Sequence, residues 1–424
     1  MTSVAAISWP WWLCMGLLAF GPISTKLGGA AWLVLMVMGF MSRWKLDTQA
    51  DKSPVIRLAQ IWLIWCLIAF GLRALIQIYW GDEWGLRHFD IRMVLSALVA
   101  IWLMMHLPRP NVSINLFISA LLVAAIMGLA VVFLHVQFNL PTPSNRINWT
   151  LSLAFMCCLL LGLSFVDGLT RRQHMLIWLG VAINLLSIFL SGTRAAYFLF
   201  PWVLGVGGFL LWKNPHLWSK APVRNFSLIG LGLGLGVYLG MQLSDHPTSP
   251  IQRIHTGLYE IQMMLNPRYS QIIAGETSMG IRLSMWARGW ELIQAQPLTG
   301  YGIEQRIHEI KALGEQLDSV KIQAMSHFHS EFINSWVEHG VLGLLSTLVY
   351  LLGLIVLGWR MLSVNIASGI ALLGIALLHA TASFTNLNSR HNFYGVMLTT
   401  CILLALYLIP TASQHTSHER ADPA

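Results

Sequence analysis

Between Val341 and Trp359 the chain reads VLGLLSTLVYLLGLIVLGW, without one charged residue. A helix of that length rises roughly 28 Å at about 1.5 Å per residue, close to a bilayer's hydrocarbon thickness of about 30 Å. Runs of this kind recur along the 424 residues, of which 56% are hydrophobic and only 10% charged. Soluble domains carry about 25% charged residues. The runs are continuously apolar rather than alternating, which argues against a β-barrel and predicts an all-α polytopic integral membrane protein.

Reading the runs against polar, Gly and Pro punctuation predicts about twelve transmembrane helices. They fall near 5–22, 28–42, 56–79, 90–107, 113–137, 148–167, 174–191, 195–212, 226–244, 331–358, 364–384 and 391–410. The first two are short enough to be partly re-entrant. Lys and Arg then set orientation. One set of short loops holds Arg43, Lys45, Lys52, Arg57, Arg109, Arg171, Arg172, Lys213, Lys220, Arg224 and Arg360; the opposite set holds Lys26, Arg87, Arg146, Arg194 and Arg390, with Arg92 just inside a span. The richer set is expected in the cytoplasm, with both termini. Residues 1–244 thus carry helices 1–9, 245–330 an outer loop, 331–410 helices 10–12, and 411–424 a polar cytoplasmic tail.

The outer loop is far longer than ordinary connections. Within it IQRIHTGLYEIQMML and GIRLSMWARGWELIQAQ have helical periodicity and PLTGYGIEQ reads as a turn, which predicts a small helical cap. The five cysteines, Cys14, Cys66, Cys157, Cys158 and Cys401, all lie in apolar runs without C-x-x-C spacing, as small core residues do. A net charge of +8 is scattered between spans rather than gathered in a stripe, so no nucleic acid is expected as a partner. No D-x-D, H-E-x-x-H or Walker motif is present, and no metal or cofactor is expected. The N-terminus lacks the basic region and cleavage site of a signal peptide.

Rare polar groups collect on the outward side. In LSGTRAAYF, Arg194 stands between two apolar runs with almost no loop, and Ser191, Gly192 and Thr193 add hydroxyl and backbone donors suited to a phosphate at headgroup depth. Arg282, Trp286 and Trp290 recur at about helical spacing, whereas Arg288 lies about 240° around the helix from Arg282 and serves another face. The stretch SHFHSEFINSWVEHG, residues 326–340, brings His329, Glu331, Glu338 and His339 to the start of a span. Along a continuous helix His339 and Glu338 sit at the outer interface, with His329 about 15 Å higher near the positive helix end, which favours a neutral imidazole. Arg73, His379, Arg390 and His391 read as supporting or cavity-lining groups. Outward chemistry has no access to cytoplasmic nucleotide sugars. A polyprenyl-diphosphate glycan fits: lipid takes the tail, arginines the diphosphate, and a neutral His the proton of an acceptor hydroxyl.

Three blocks, SGTRAAYF (191–198), RLSMWARGWELIQAQPLTGYG (282–302) and HFHSEFINSWVEHGVLGLL (327–345), resemble in order those of the bacterial O-antigen ligase/polymerase family. The resemblance covers 191–345 and implies a GT-C-like membrane glycosyltransferase, inverting and metal-independent, of the bacterial inner membrane. It implies undecaprenyl-diphosphate-linked O-antigen as donor, lipid A–core as acceptor and an active site facing the periplasm. Carried over by position, Arg194 and Arg282 hold the diphosphate with Ser191 and Thr193, and His329 and His339 are the candidate bases. Glu331, Glu338, Trp286 and Tyr301 support them. Ser330 and Ile333 depart from the family's Asn and Leu. Length and layout look most like the ligase. A polymerase sharing the donor is the nearest alternative; a lipid-linked glycan transporter or a non-catalytic scaffold fits the outward polar groups less well.

Overall fold

The computed structural model describes residues 9–41, 53–81, 88–106, 114–213, 250–264, 275–407 and 409, and among them the regular structure is entirely helical. In chain order the helices are α1 (Trp9–Phe20), α2 (Thr25–Met41), α3 (Pro54–Trp80), α4 (His88–His106), α5 (Ile114–Phe138), α6 (Arg146–Leu163), α7 (Arg171–Ser191) and α8 (Leu199–Lys213). They continue as α9 (Pro250–Met264), α10 (Ser278–Ala295), α11 (Gly302–Gln316), α12 (Val320–Gln323), α13 (Glu331–Val364), α14 (Ile366–Thr385) and α15 (Asn392–Tyr407).

Local chemistry sets the ends. Pro54 opens α3, and Gly81, in the left-handed region at φ 60°, closes it. Thr170 and Gln173 form a reciprocal capping box at α7, whose far end turns out through Gly192 at φ 63°. Eleven of the twelve apolar runs correspond to α1–α8 and α13–α15; the run at 226–244 lies outside the described residues. Six helices, α3, α5, α6, α7, α13 and α14, are long and apolar enough to cross a membrane, while α1, α2 and α15 are shorter apolar helices. Every residue of α6 from Asn148 and of α15 from Phe393 is buried, so these two form the axis of the bundle. α3 and α5 instead turn Ile64, Leu67, Leu75, Ile126 and Phe133 outward. That surface suits hydrocarbon rather than water, as in a multi-pass membrane protein.

Helices α9–α12 occupy the stretch between α8 and α13. Ile281, Met285, Leu292, Ile293, Ile310, Leu313 and Ile322 of this small unit form a hydrophobic core of their own, which Phe328 and Val337 complete from the α13 side.

The seam between the two parts corrects one expectation. The helix at 331–358 is not continuous, because α13 breaks at His339 (φ −131°, ψ 17°) and Gly340 (φ 61°, ψ −155°). Nor does His329 ride on it: α13 begins after the cap Ser330, and His329 sits in the preceding turn at φ 51°. The break frees backbone groups for the PLTGYG loop. Tyr301 N–H donates to the Val337 carbonyl at 2.8 Å, and Val341 N–H to the Leu298 carbonyl at 3.2 Å. A Cβ on Gly340 would strike the Leu298 carbonyl, and one on Gly300 the Gly340 amide. Two of the sequence blocks are therefore one interlocked unit, further tied by indole N–H bonds from Trp336 to Pro297 and Trp80 to Thr299.

Gly340→Ala combines a left-handed φ with a backbone collision. It is expected to cost roughly 2 kcal/mol or more, read as a lowered thermal unfolding midpoint in detergent. Gly71→Ala, inside α3 where a Cβ meets nothing within 4 Å, is the control and should leave the midpoint unchanged or slightly raised, since Ala is the better helix former.

Candidate functional site

Two polar centres meet near the seam. The first is a cavity of about 320 Å3 between the ends of α6, α7, α10 and α14. Asn145 caps α6 by accepting the Ile147 N–H, which leaves Arg146 on the first turn at the cavity wall. After Gly192 the chain passes through Thr193 into a short 3-10 turn at Arg194–Ala196. From the opposite wall come Ser278, Met279, Arg282 and Trp286 of α10, and from below Thr381 and Thr385. Arg146, Arg194 and Arg282 thus line one space. Arg282 is steadied by its own helix, donating to the Ser278 carbonyl at 3.0 Å and hydroxyl at 2.6 Å. Burial, then the neighbouring Arg194 charge, push Arg282 below its ordinary value, with Glu260 acting the other way. Mutual repulsion of guanidinium groups marks a space that gains by admitting an anion.

The histidine turn lies beside this cavity. Trp286, a lining residue, donates its indole N–H to the Phe328 carbonyl at 3.0 Å. His327 and His329 face each other with ring centroids 4.4 Å apart, and His327 Nδ1 accepts the His329 backbone N–H. His329 Nε2 lies 3.0 Å from Met325 Sδ. Burial, then the Arg282 charge, push His329 down to about 4, with Asn386 opposing and His391 adding to the fall. Burial and His329 lower His327 to about 3. Both imidazoles are neutral near pH 7.

The second centre is closed. The Glu338 carboxylate is fully buried and takes bonds from Arg306 (3.2 Å), Asn334 (2.7 Å) and Arg390 (3.3 Å). Arg306, itself 0% exposed, also donates to Asn334 Oδ1 at 2.9 Å. His339 lies against the same carboxylate at 3.8 Å, fully buried at the helix break.

The sequence-nominated residues therefore divide. Arg194, Arg282, Thr193 and Trp286 line the cavity, and His329 adjoins it. Ser191 does not reach it: its hydroxyl donates back to the Ile188 carbonyl and accepts the Thr193 N–H. His339 and Glu338 are fully buried within the protein and do not line the cavity. Glu331 faces a separate hollow of about 10 Å3 with Arg73, Asp90 and His379, and accepts the Ser389 hydroxyl at 2.5 Å. Tyr301 serves the seam through its backbone. Arg146, Glu260 and Arg306 escaped the sequence reading; Arg146 had been noted only as an outer-loop charge. Among the described residues no group of three or more His, Cys, Asp or Glu is arranged to hold a metal ion.

Residues 179–348 match the family model described as O-antigen ligase. Over this stretch the chain is similar to the O-antigen ligase family. The stretch takes in the cavity arginines of α10 and of the turn after α7, the histidine turn, and the Glu338–Arg306 pair, while Arg146 and Arg390 of the same two centres lie outside it. A comparison with curated proteins gives no match.

Glu338→Gln leaves buried guanidinium charge without its counter-ion and is expected to destabilise the protein by roughly 3–5 kcal/mol. Thermal unfolding and limited proteolysis in detergent read this out. Arg306→Met combined with Glu338→Gln should cost clearly less than the two single losses added, because the pair is coupled.

Proposed function

We propose that the protein is the glycosyltransferase that moves O-antigen polysaccharide from undecaprenyl diphosphate to lipid A–core on the periplasmic face of the bacterial inner membrane. The observation that carries this reading is the convergence of Arg146, Arg194 and Arg282 on one cavity beside a neutral imidazole. The match to the O-antigen ligase family supports the reaction class. The sparse Lys and Arg of the loops on that side support the orientation, with both termini in the cytoplasm.

In this reading the three guanidinium groups hold the diphosphate, and Thr193 supplies a hydroxyl at its edge. The acceptor hydroxyl oxygen attacks the anomeric carbon from the face opposite the leaving group, inverting it. The bond between that carbon and the phosphate oxygen breaks, its electron pair stays on the diphosphate, and the arginines stabilise the charge that develops. His329 takes the acceptor proton. His329 is preferred over His339 because it adjoins the arginine cavity, whereas His339 is enclosed beside Glu338. Glu331 and Glu338 support the site by holding the turn and α13 in place.

Purified protein reconstituted with undecaprenyl-diphosphate-linked O-antigen and lipid A–core, in excess chelator, should shift lipid A–core to a glycan-bearing form on a gel. Lengthening of the donor glycan with lipid A–core unmodified would instead make it a polymerase. Arg194→Ala and Arg146→Ala should each lower turnover by about 10²–10³-fold with insertion and folding intact.

The pH profile separates base from scaffold. A histidine accepts a proton only when neutral, so activity on the free enzyme should hold from pH 7 down and fall as pH drops through about 4. An anion on Arg282 offsets the field that depresses His329. The acid limb of kcat should therefore lie at higher pH than that of kcat/KM. His329→Ala should abolish the limb along with turnover.

A further inference from the structure

A buried carboxylate stands directly behind the wall of the arginine cavity. Glu260 of α9 is 6% exposed, and its Oε2 accepts the backbone N–H of the lining residue Met279 at 2.8 Å. Gly257, one turn earlier on the same face of α9, lies so close to the Arg194 guanidinium that a Cβ there would collide with it. Residues 257 and 260 thereby lay α9 across two of the three arginines, one by having no side chain and the other by bringing a negative charge.

Helix capping alone does not account for that charge. Thr277 already caps α10 by accepting the Gly280 N–H at 3.1 Å, and a neutral amide oxygen would serve the Met279 N–H equally well. A carboxylate beside a cavity for anions works against binding. Its value lies in the difference between what enters and what leaves.

We infer that Glu260 sets turnover by weakening the cavity's hold on the glycan-free diphosphate product more than on the donor. The inference rests on the lipid-diphosphate reading above. In the donor the diphosphate is esterified at both ends, to lipid and to sugar. Once the glycosyl bond breaks with its electron pair left on oxygen, the terminal phosphate is held only by its anhydride bond, and its further ionisation near pH 6 adds about one negative charge at neutral pH. Three guanidinium groups hold the more anionic product more tightly, and release of product becomes the slow step. A fixed carboxylate repels each species in proportion to its charge, so it narrows this gap while Arg146, Arg194 and Arg282 still bind the donor.

The test is Glu260→Gln, which keeps an acceptor for Met279 N–H and removes the charge, in the full-length reconstituted protein. Inhibition by a short-chain polyprenyl diphosphate should tighten by about tenfold, donor KM should fall by less, and steady-state kcat should drop behind an undiminished first-turnover burst. Equal tightening of donor and product, or no change in either, overturns the role of Glu260. So does a slowed first turnover, and so does impairment in Glu260→Ala with Glu260→Gln behaving as wild type, which is capping alone. Failure of the polyprenyl diphosphate to inhibit the wild-type protein overturns the donor reading, and this inference falls with it.

Discussion

A single buried carboxylate, that of Glu338, holds the two parts of this protein in register. Removing a charge from water costs several kcal/mol per ion, and only close partners make it tolerable. Glu338 finds them on three separate pieces of chain: Arg306 of α11, Asn334 on its own helix, and Arg390 of the turn before α15. Asn334 passes the constraint on, since its side-chain oxygen also accepts the Phe328 N–H at 3.4 Å. The Phe328 carbonyl in turn takes the indole N–H of Trp286. From the closed ionic centre to the wall of the arginine cavity there is thus a continuous line of hydrogen bonds, and the histidine turn lies along it.

Much of the fold was legible because the bilayer allows so few solutions. An apolar run of bilayer length with its backbone groups to satisfy has to be a helix, and the ends follow from Pro54, Thr170, Gly192 and their like. The small helical unit showed itself through the periodicity of residues 251–265 and 280–296. The break at His339–Gly340 was not legible. EFINSWVEHGVLGLL has the pattern of an uninterrupted helix, and what interrupts it is pairing with Leu298 and Tyr301, some forty residues earlier in the chain. Periodicity is a local signal and carries no trace of a non-local backbone bond.

The site follows the same rule. Arg194 and Arg282 stand out because a guanidinium next to an apolar run needs a reason. Arg146 has the same property, yet at the foot of a short loop it reads equally well as an orientation signal. Ser191 and Thr193 are two residues apart with similar chemistry, and the left-handed turn at Gly192 decides between them: one hydroxyl folds back on α7 while the other reaches the cavity. Depth along a helix misled for His329, since the helix used as the ruler starts only after Ser330 and breaks at His339. Glu260 had no local signature at all, because its meaning comes from Met279 and Arg282, distant in sequence.

The two centres carry opposite electrostatic characters, and the contrast bears on which of them can do chemistry. Around Glu338 two guanidinium groups share one fully buried carboxylate within 3.4 Å, so that carboxylate is held on several sides and the centre is rigid. Around Arg282 burial first, then the like charge of Arg194, outweigh the help from Glu260, and the guanidinium is held below its ordinary value. In the first centre the carboxylate is already engaged by Arg306, Asn334 and Arg390. The second stores unfavourable energy that an entering anion relieves, and the same relief reaches His329, whose imidazole is depressed by the same Arg282 charge. An anion in the cavity therefore makes the neighbouring imidazole a stronger base at the moment its acceptor proton must be taken. In the proposed transfer, donor binding and base strength are coupled through one arginine, with the Glu338 centre keeping the distance between them constant.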